Sequence, residues 1–176
     1  MSVLTSLDIK CLNNIPMLLD VINASTDSLI DVLGECRNEI QEEVDNTLTD
    51  KKWKCDLKDE YIVDWAQISL SRTLRIQKGK KAVCEISCSY SSSEDNRIFF
   101  QLTEEDGFSL MTEDFKRSVE IDMRFIKVCN AEDDNDFISV ELPVTQDLSE
   151  NQIDDCMVEF IDKVLRPYLD LLLSTF

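Results

Sequence analysis

The sequence predicts an α+β domain, and three observations lead there: apolar residues spaced three and four apart near the N-terminus, a run of period-two segments through the middle, and a return to helical spacing at the end. The expected architecture is a five-stranded, mainly antiparallel sheet over about 62–143, with N-terminal helices over about 12–48 and a C-terminal helix over about 149–173 packed on it. A chain of 176 residues suits one domain, 1–176, and no repeat or composition break argues for a second.

Leu12, Ile15, Leu18, Leu19 and Ile22 follow the helical period and predict a short first helix, with Pro16 tolerable only near its start. The turn-like run Asn23, Ala24, Ser25, Thr26 then separates a second helix carrying Leu29, Leu33, Cys36, Ile40, Val44 and Leu48 on one stripe. Residues 50–59 mix charges and read as a connection.

Ile68, Leu70, Leu74 and Ile76 alternate with polar residues, and so do Cys84, Ile86, Cys88 and Tyr90 after Lys78-Gly79-Lys80, which makes a hairpin. Matching apolar faces requires an even register, such as Leu74 opposite Cys84 and Leu70 opposite Cys88. Arg72 then points to the core side, where pairing with an acid is the default expectation and a place at a bulge or an edge the alternative. A third strand holds Ile98, Phe100 and Leu102, a fourth Val119, Ile121, Met123 and Phe125, and a fifth Ile138, Val140 and Leu142, ended by Pro143. Ser149 and Gln152 form a capping box for the last helix, whose stripe runs from Ile153 through Met157, Phe160, Ile161 and Val164 to Tyr168, with Pro167 expected to bend or interrupt it.

Thirty-six acidic against eighteen basic residues leave a formal net charge of -18, a field that repels nucleic-acid phosphates and anionic membrane surfaces. Neither is an expected direct partner. There is no histidine, and the three glycines form no phosphate-cradling pattern, which removes most familiar catalytic and metal centres; no cofactor is expected. The first twenty residues lack a basic start and a long apolar run, so a cytoplasmic location with seven reduced cysteines is expected. Cys84 and Cys88 do not form a chelating pair, because four residues of strand separate their sulfurs by about 13 Å. They read as core residues.

Along the second helix Asp27, Asp31, Glu35, Glu39 and Glu43 recur every four residues, with Glu42 added. Like charges at that spacing cost about 0.2–0.5 kcal/mol per pair. They face away from the apolar stripe, which makes them either a solvated surface or a face for a basic protein partner. Six acids over about 24 Å of helix axis also approach the charge spacing of a DNA strand.

The loop containing Glu132, Asp133, Asp134 and Asp136 lacks the glycine and terminal glutamate of an EF-hand and reads as a solvated tip. Asp64, Glu85, Glu120, Asp122 and Lys127 are the nearest approach to a metal-dependent carboxylate centre, without an acid-x-lysine spacing.

The expected function is therefore a non-enzymatic acidic binding protein, of the inhibitor, immunity-protein or chaperone kind, using Asp27, Asp31, Glu35, Glu39, Glu42 and Glu43. The alternatives are a DNA mimic and a carboxylate enzyme built on Glu85, Glu120 and Asp122. A homodimer is the second expected partner, with the basic hairpin residues Arg75, Lys78 and Lys81 meeting the acidic helix of a mate, and with Trp53, Trp65, Phe99, Phe108, Phe115 and Phe176 left over as apolar anchors.

Overall fold

The computed structural model describes residues 6–50, 52–63, 67–93, 96–105, 107–120, 126–129, 137–145 and 148–176, of which 6–21, 120 and 126–129 are described by backbone alone. They form α1 (Ser6–Thr47), β1 (Trp53–Val63), β2 (Ile68–Lys78), β3 (Lys81–Ser91), β4 (Arg97–Glu104), α2 (Glu113–Glu120), β5 (Ile126–Cys129), β6 (Phe137–Pro143), α3 (Glu150–Phe160), a π turn (Ile161–Leu165) and α4 (Arg166–Thr175). The class is α+β, as expected.

The chain divides into two compact units, Met1–Val32 and Leu33–Phe176. In the first, a single helix replaces the two expected from the sequence. Residues 23–26 contain neither glycine nor proline, their propensity costs are small, and Ser28 Oγ returns a hydrogen bond to the Ala24 carbonyl at 3.0 Å. Pro16 lies well inside this helix, not near its start.

In the second unit, six strands form one antiparallel sheet in the order β1-β2-β3-β4-β6-β5. The extra strand is β1, where the sequence suggested a connection. Trp53, Cys55 and Leu57 do alternate with Lys54, Asp56 and Lys58, but Asp59 interrupts the apolar set and conceals the period.

The β2–β3 register pairs Leu74 with Ile86 and Leu70 with Tyr90, two residues from the expected pairing but of the same parity. The cause lies in the turn. A two-residue loop at Gly79 and Lys80 pairs Lys78 with Lys81, an odd register that would set apolar residues against polar ones. An irregularity at Ile76/Gln77 corrects this: Gln77 pairs with Ala82 and Ile76 with Cys84, leaving Val83 as the extra residue of a bulge. Val83 and Cys84 are both fully buried.

One sheet face carries Leu70, Leu74, Ile86, Cys88, Ile98, Phe100, Leu102, Ile138 and Val140, all buried. Phe160 of α3 packs on Phe100 with ring centroids 6.1 Å apart. The Leu33, Cys36, Ile40 and Val44 stripe of α1 is buried as the spacing required. The opposite face is polar, with Thr73, Ser87, Gln101 and Ser139 aligned in one row across four strands.

Val119, expected on a strand, instead ends α2. Thr112 Oγ1 accepts the Phe115 N–H at 3.2 Å, Glu113 and Asp114 occupy the first turn and Arg117 the last, an arrangement that suits a helix dipole. Phe115 and Val119, four apart, are buried together on one face. The remaining residues of that expected strand, Ile121, Met123 and Phe125, lie outside the described residues, as do Asp64, Trp65 and the loop from Glu132 to Asp136.

The C-terminal helix begins as expected, with Gln152 Oε1 accepting the Ser149 N–H at 2.9 Å. Pro167 interrupts it through a π turn, in which the Arg166 N–H reaches back five residues to the Ile161 carbonyl. The wider turn accommodates a residue that has no N–H to donate.

Candidate acidic groove

The six acids selected from the sequence separate on inspection. In the first unit, Asp27 and Asp31 are exposed. In the second, Glu35, Glu39 and Glu42 are exposed, while Glu43 is half-buried and engaged by the C-terminal helix. Arg166 Nε donates to Glu43 Oε1 at 2.7 Å and Nη2 to Oε2 at 2.8 Å, a two-pronged pair, and Nη1 also reaches Asp162. Hydrogen bonding from Arg166 holds the Glu43 carboxyl below its ordinary pKa.

Glu39, Glu42, Glu43 and Asn46 of α1 form one wall of a groove of about 460 Å³, and Val158, Ile161, Asp162 and Arg166 form the other. On the far wall Val158 belongs to α3, Ile161 and Asp162 to the π turn and Arg166 to α4. Val158 is 48% exposed although it lies among buried neighbours, so the groove offers an apolar surface between carboxylates. The sequence marked the acids but not this wall, because Glu43 and Arg166 are 123 residues apart in the chain.

The basic hairpin is engaged by its own chain. Arg75 pairs with Glu85 at 3.1 Å and with Glu105. Lys78 Nζ lies 5.1 Å from the Trp53 ring, 4.6 Å from the Phe176 ring and 3.0 Å from the Phe176 carbonyl, while Lys81 lies over Phe108 at 4.2 Å. Three of the aromatics left over from the apolar stripes, Trp53, Phe108 and Phe176, are thus gathered against these lysines. Phe115 is core, against Tyr168.

Arg72 has an acidic partner, the default expected from its position. Asp59 accepts from Arg72 at 2.7 Å and from Arg37 at 2.6 Å. Gly34 of α1 lies beside this cluster, where a Cβ would stand in ordinary van der Waals contact with the Arg72 guanidinium at 3.4 Å.

Among the described residues, no three histidine, cysteine or acidic side chains converge as a metal site. Glu85 is held by Arg75, Glu120 is described by backbone alone and Asp122 lies outside the described residues. The described thiols Cys36, Cys55, Cys84, Cys88 and Cys156 are free. Burial pushes Cys36 and Cys156 up to about 12, with the carboxylates of Asp154 and Glu159 respectively adding to the effect. Such thiols are poor nucleophiles at neutral pH. Among the described residues no helix is long and apolar enough to cross a membrane.

No protein-family model matches the chain, and neither curated proteins nor solved structures give a match.

Proposed function

We propose that this chain is a non-enzymatic binding protein, acting as an inhibitor, immunity protein or chaperone, whose acidic groove receives a basic, partly apolar segment of a protein partner. The observation that carries the reading is the composition of the groove: exposed Glu39 and Glu42 stand across from exposed Val158 and the buried edge of Ile161. Carboxylates supply attraction to lysine or arginine and Val158 supplies apolar area, a combination suited to an amphipathic basic segment. The net charge of -18 adds long-range steering, which makes association fast and salt-sensitive.

Arg166 tunes this surface by neutralising Glu43 and Asp162. Its loss releases both carboxylates into the groove. The test is capture of partners from native cells by the wild-type chain, by Glu39→Ser/Glu42→Ser, by Val158→Asp and by Arg166→Ala. A basic protein held at low salt, lost with the paired serine change, weakened by V158D and held more tightly by R166A supports the reading. Capture indifferent to salt and to all three variants overturns it. Displacement of that partner by excess duplex DNA would assign the acidic surface to nucleic-acid mimicry instead.

A further inference from the structure

We propose that the outer edge of β1 is a homodimer interface, at which β1 pairs antiparallel with β1 of a second copy about Leu57 and continues the sheet across the two chains.

The strand is long and open. It runs for 11 residues at the end of the sheet order, and among the described residues no strand pairs with its outer side. Leu57 and Ile62 are each 50% exposed, and Tyr61 and Val63 are exposed beside them. An open edge with apolar side chains is the kind of surface that natural sheets cover, charge or pair.

The backbone fixes which residues face a partner. The Lys52 carbonyl accepts the Gly79 N–H at 2.9 Å, and the β1–β2 register continues from that pair. Even-numbered residues of β1 therefore turn their N–H and C=O groups toward β2, and odd-numbered ones turn theirs outward. Trp53 has already given its N–H to the Asp50 carbonyl, so the outward donors run from Cys55 to Val63.

The side chains select the register. Pairing Leu57 with Leu57 sets Lys54 against Glu60 and Asp56 against Lys58, and the symmetry repeats both pairs. Lys54, Asp56, Lys58 and Glu60 of one copy then face Glu60, Lys58, Asp56 and Lys54 of the other, with charge alternating along and across the strands. These even-numbered positions would be the non-hydrogen-bonded pairs of the new ladder, where side chains stand closest. On the other face Trp53 meets Tyr61.

A slip of two residues in one direction puts Lys58 on Lys58 and Asp56 on Glu60, and in the other puts Lys54 on Lys58 and Asp56 on Asp56. A slip of four in one direction keeps Lys58 with Glu60 but sets Asp59 on Asp59, and in the other pairs Lys54 with Asp56 but sets Lys52 on Lys58. The Leu57-centred register alone among these sets no like charges opposite one another; Asp59, already held by Arg37 and Arg72, faces Cys55. It also confines the contact to a strand whose even-numbered charges cancel, in a chain whose net charge of -18 opposes self-association elsewhere.

The test is sedimentation equilibrium of the full chain at micromolar concentrations. The expected mass is twice the 20.3 kDa of one chain. K54E and E60K each set like charges opposite one another at two symmetric places and raise the dissociation constant about tenfold. The double variant K54E/E60K restores opposite charges and returns it to within about threefold of wild type. L57P removes an outward N–H without touching the β2 ladder and gives a monomer with an unchanged circular dichroism spectrum; if L57P unfolds, the charge swap decides. A wild-type monomer throughout the micromolar range overturns the proposal, as does a dimer that ignores the single changes or is weakened further by the double one.

Discussion

The hydroxyl of Tyr168, on the C-terminal helix, donates to Glu104 Oε1 at the end of β4 across 3.0 Å, with both side chains buried. The same oxygen accepts the Leu110 N–H at 2.8 Å, and the carboxylate also receives the Met111 N–H at 3.2 Å. One buried acid thus ties a strand, the segment leading into α2 and α4. Glu104→Ala leaves these donors without their acceptor and should cost about 3 kcal/mol, whereas Tyr168→Phe keeps the packing and removes one donor, for about 1 kcal/mol. Urea unfolding checks the ranking. Equal costs would mean that the carboxylate's backbone contacts contribute nothing.

How far the sequence could lead to this structure depended on whether the deciding neighbours were near in the chain. The Leu33, Cys36, Ile40, Val44 stripe and the apolar parity of β2 and β3 are local periodicities and were readable. The two-residue difference in register arose because a bulge at Val83 reconciles loop length with parity, and nothing in that valine announces it. β1 was missed because Asp59 occupies a core-side position, acceptable only because Arg37 and Arg72 both meet it. Glu39, Glu42 and Glu43 were legible as acids. Their opposite wall was not, since it comes from the C-terminal helix, with Arg166 123 residues from the Glu43 it meets.

Asp59 stands between two guanidinium groups, and the Arg37 side chain is nearly buried with its Nε lacking a hydrogen-bond partner among the described residues. Asp59→Asn keeps the shape and removes the charge that both arginines share. A loss of about 2 kcal/mol in unfolding free energy is expected, from charge-assisted hydrogen bonds weakened while the cations stay in place. Replacing Arg37 by Met in the same variant should recover part of that loss, because it removes one of the uncompensated charges. If D59N unfolds at the wild-type urea midpoint, the bridge contributes nothing to stability.

Gly79 occupies the left-handed region at φ 67°, and a Cβ there would meet nothing within 4 Å. Only backbone strain penalises a side chain at this position. Gly79→Ala should therefore cost about 1 kcal/mol and Gly79→Asn less, since asparagine tolerates this conformation better. Thermal unfolding of the two variants checks the order. Equal losses would point to displacement of the loop rather than to strain.

The buried thiols and Tyr168 should make the fold sensitive to alkali. Burial raises Cys36 and Cys156 from 9.0 to about 12, and also pushes Cys84, Cys88 and Tyr168 upward. Unfolded thiols lose their protons near pH 9 while the native ones retain them, so the native state binds more protons above that point. The stability associated with these groups is fully present below the unfolded pKa and is lost as pH rises toward the folded values. Each such thiol lowers the unfolding free energy by about 1.4 kcal/mol per pH unit in that window. The expected result is a urea midpoint that is steady below pH 9 and falls steeply between pH 9 and about 12. Cys36→Ala/Cys156→Ala, compared with its own value at pH 8, should lose midpoint more slowly because two of the contributing groups are gone. A midpoint that holds through that window, or an identical decline in the double variant, would rule out these two thiols as the cause.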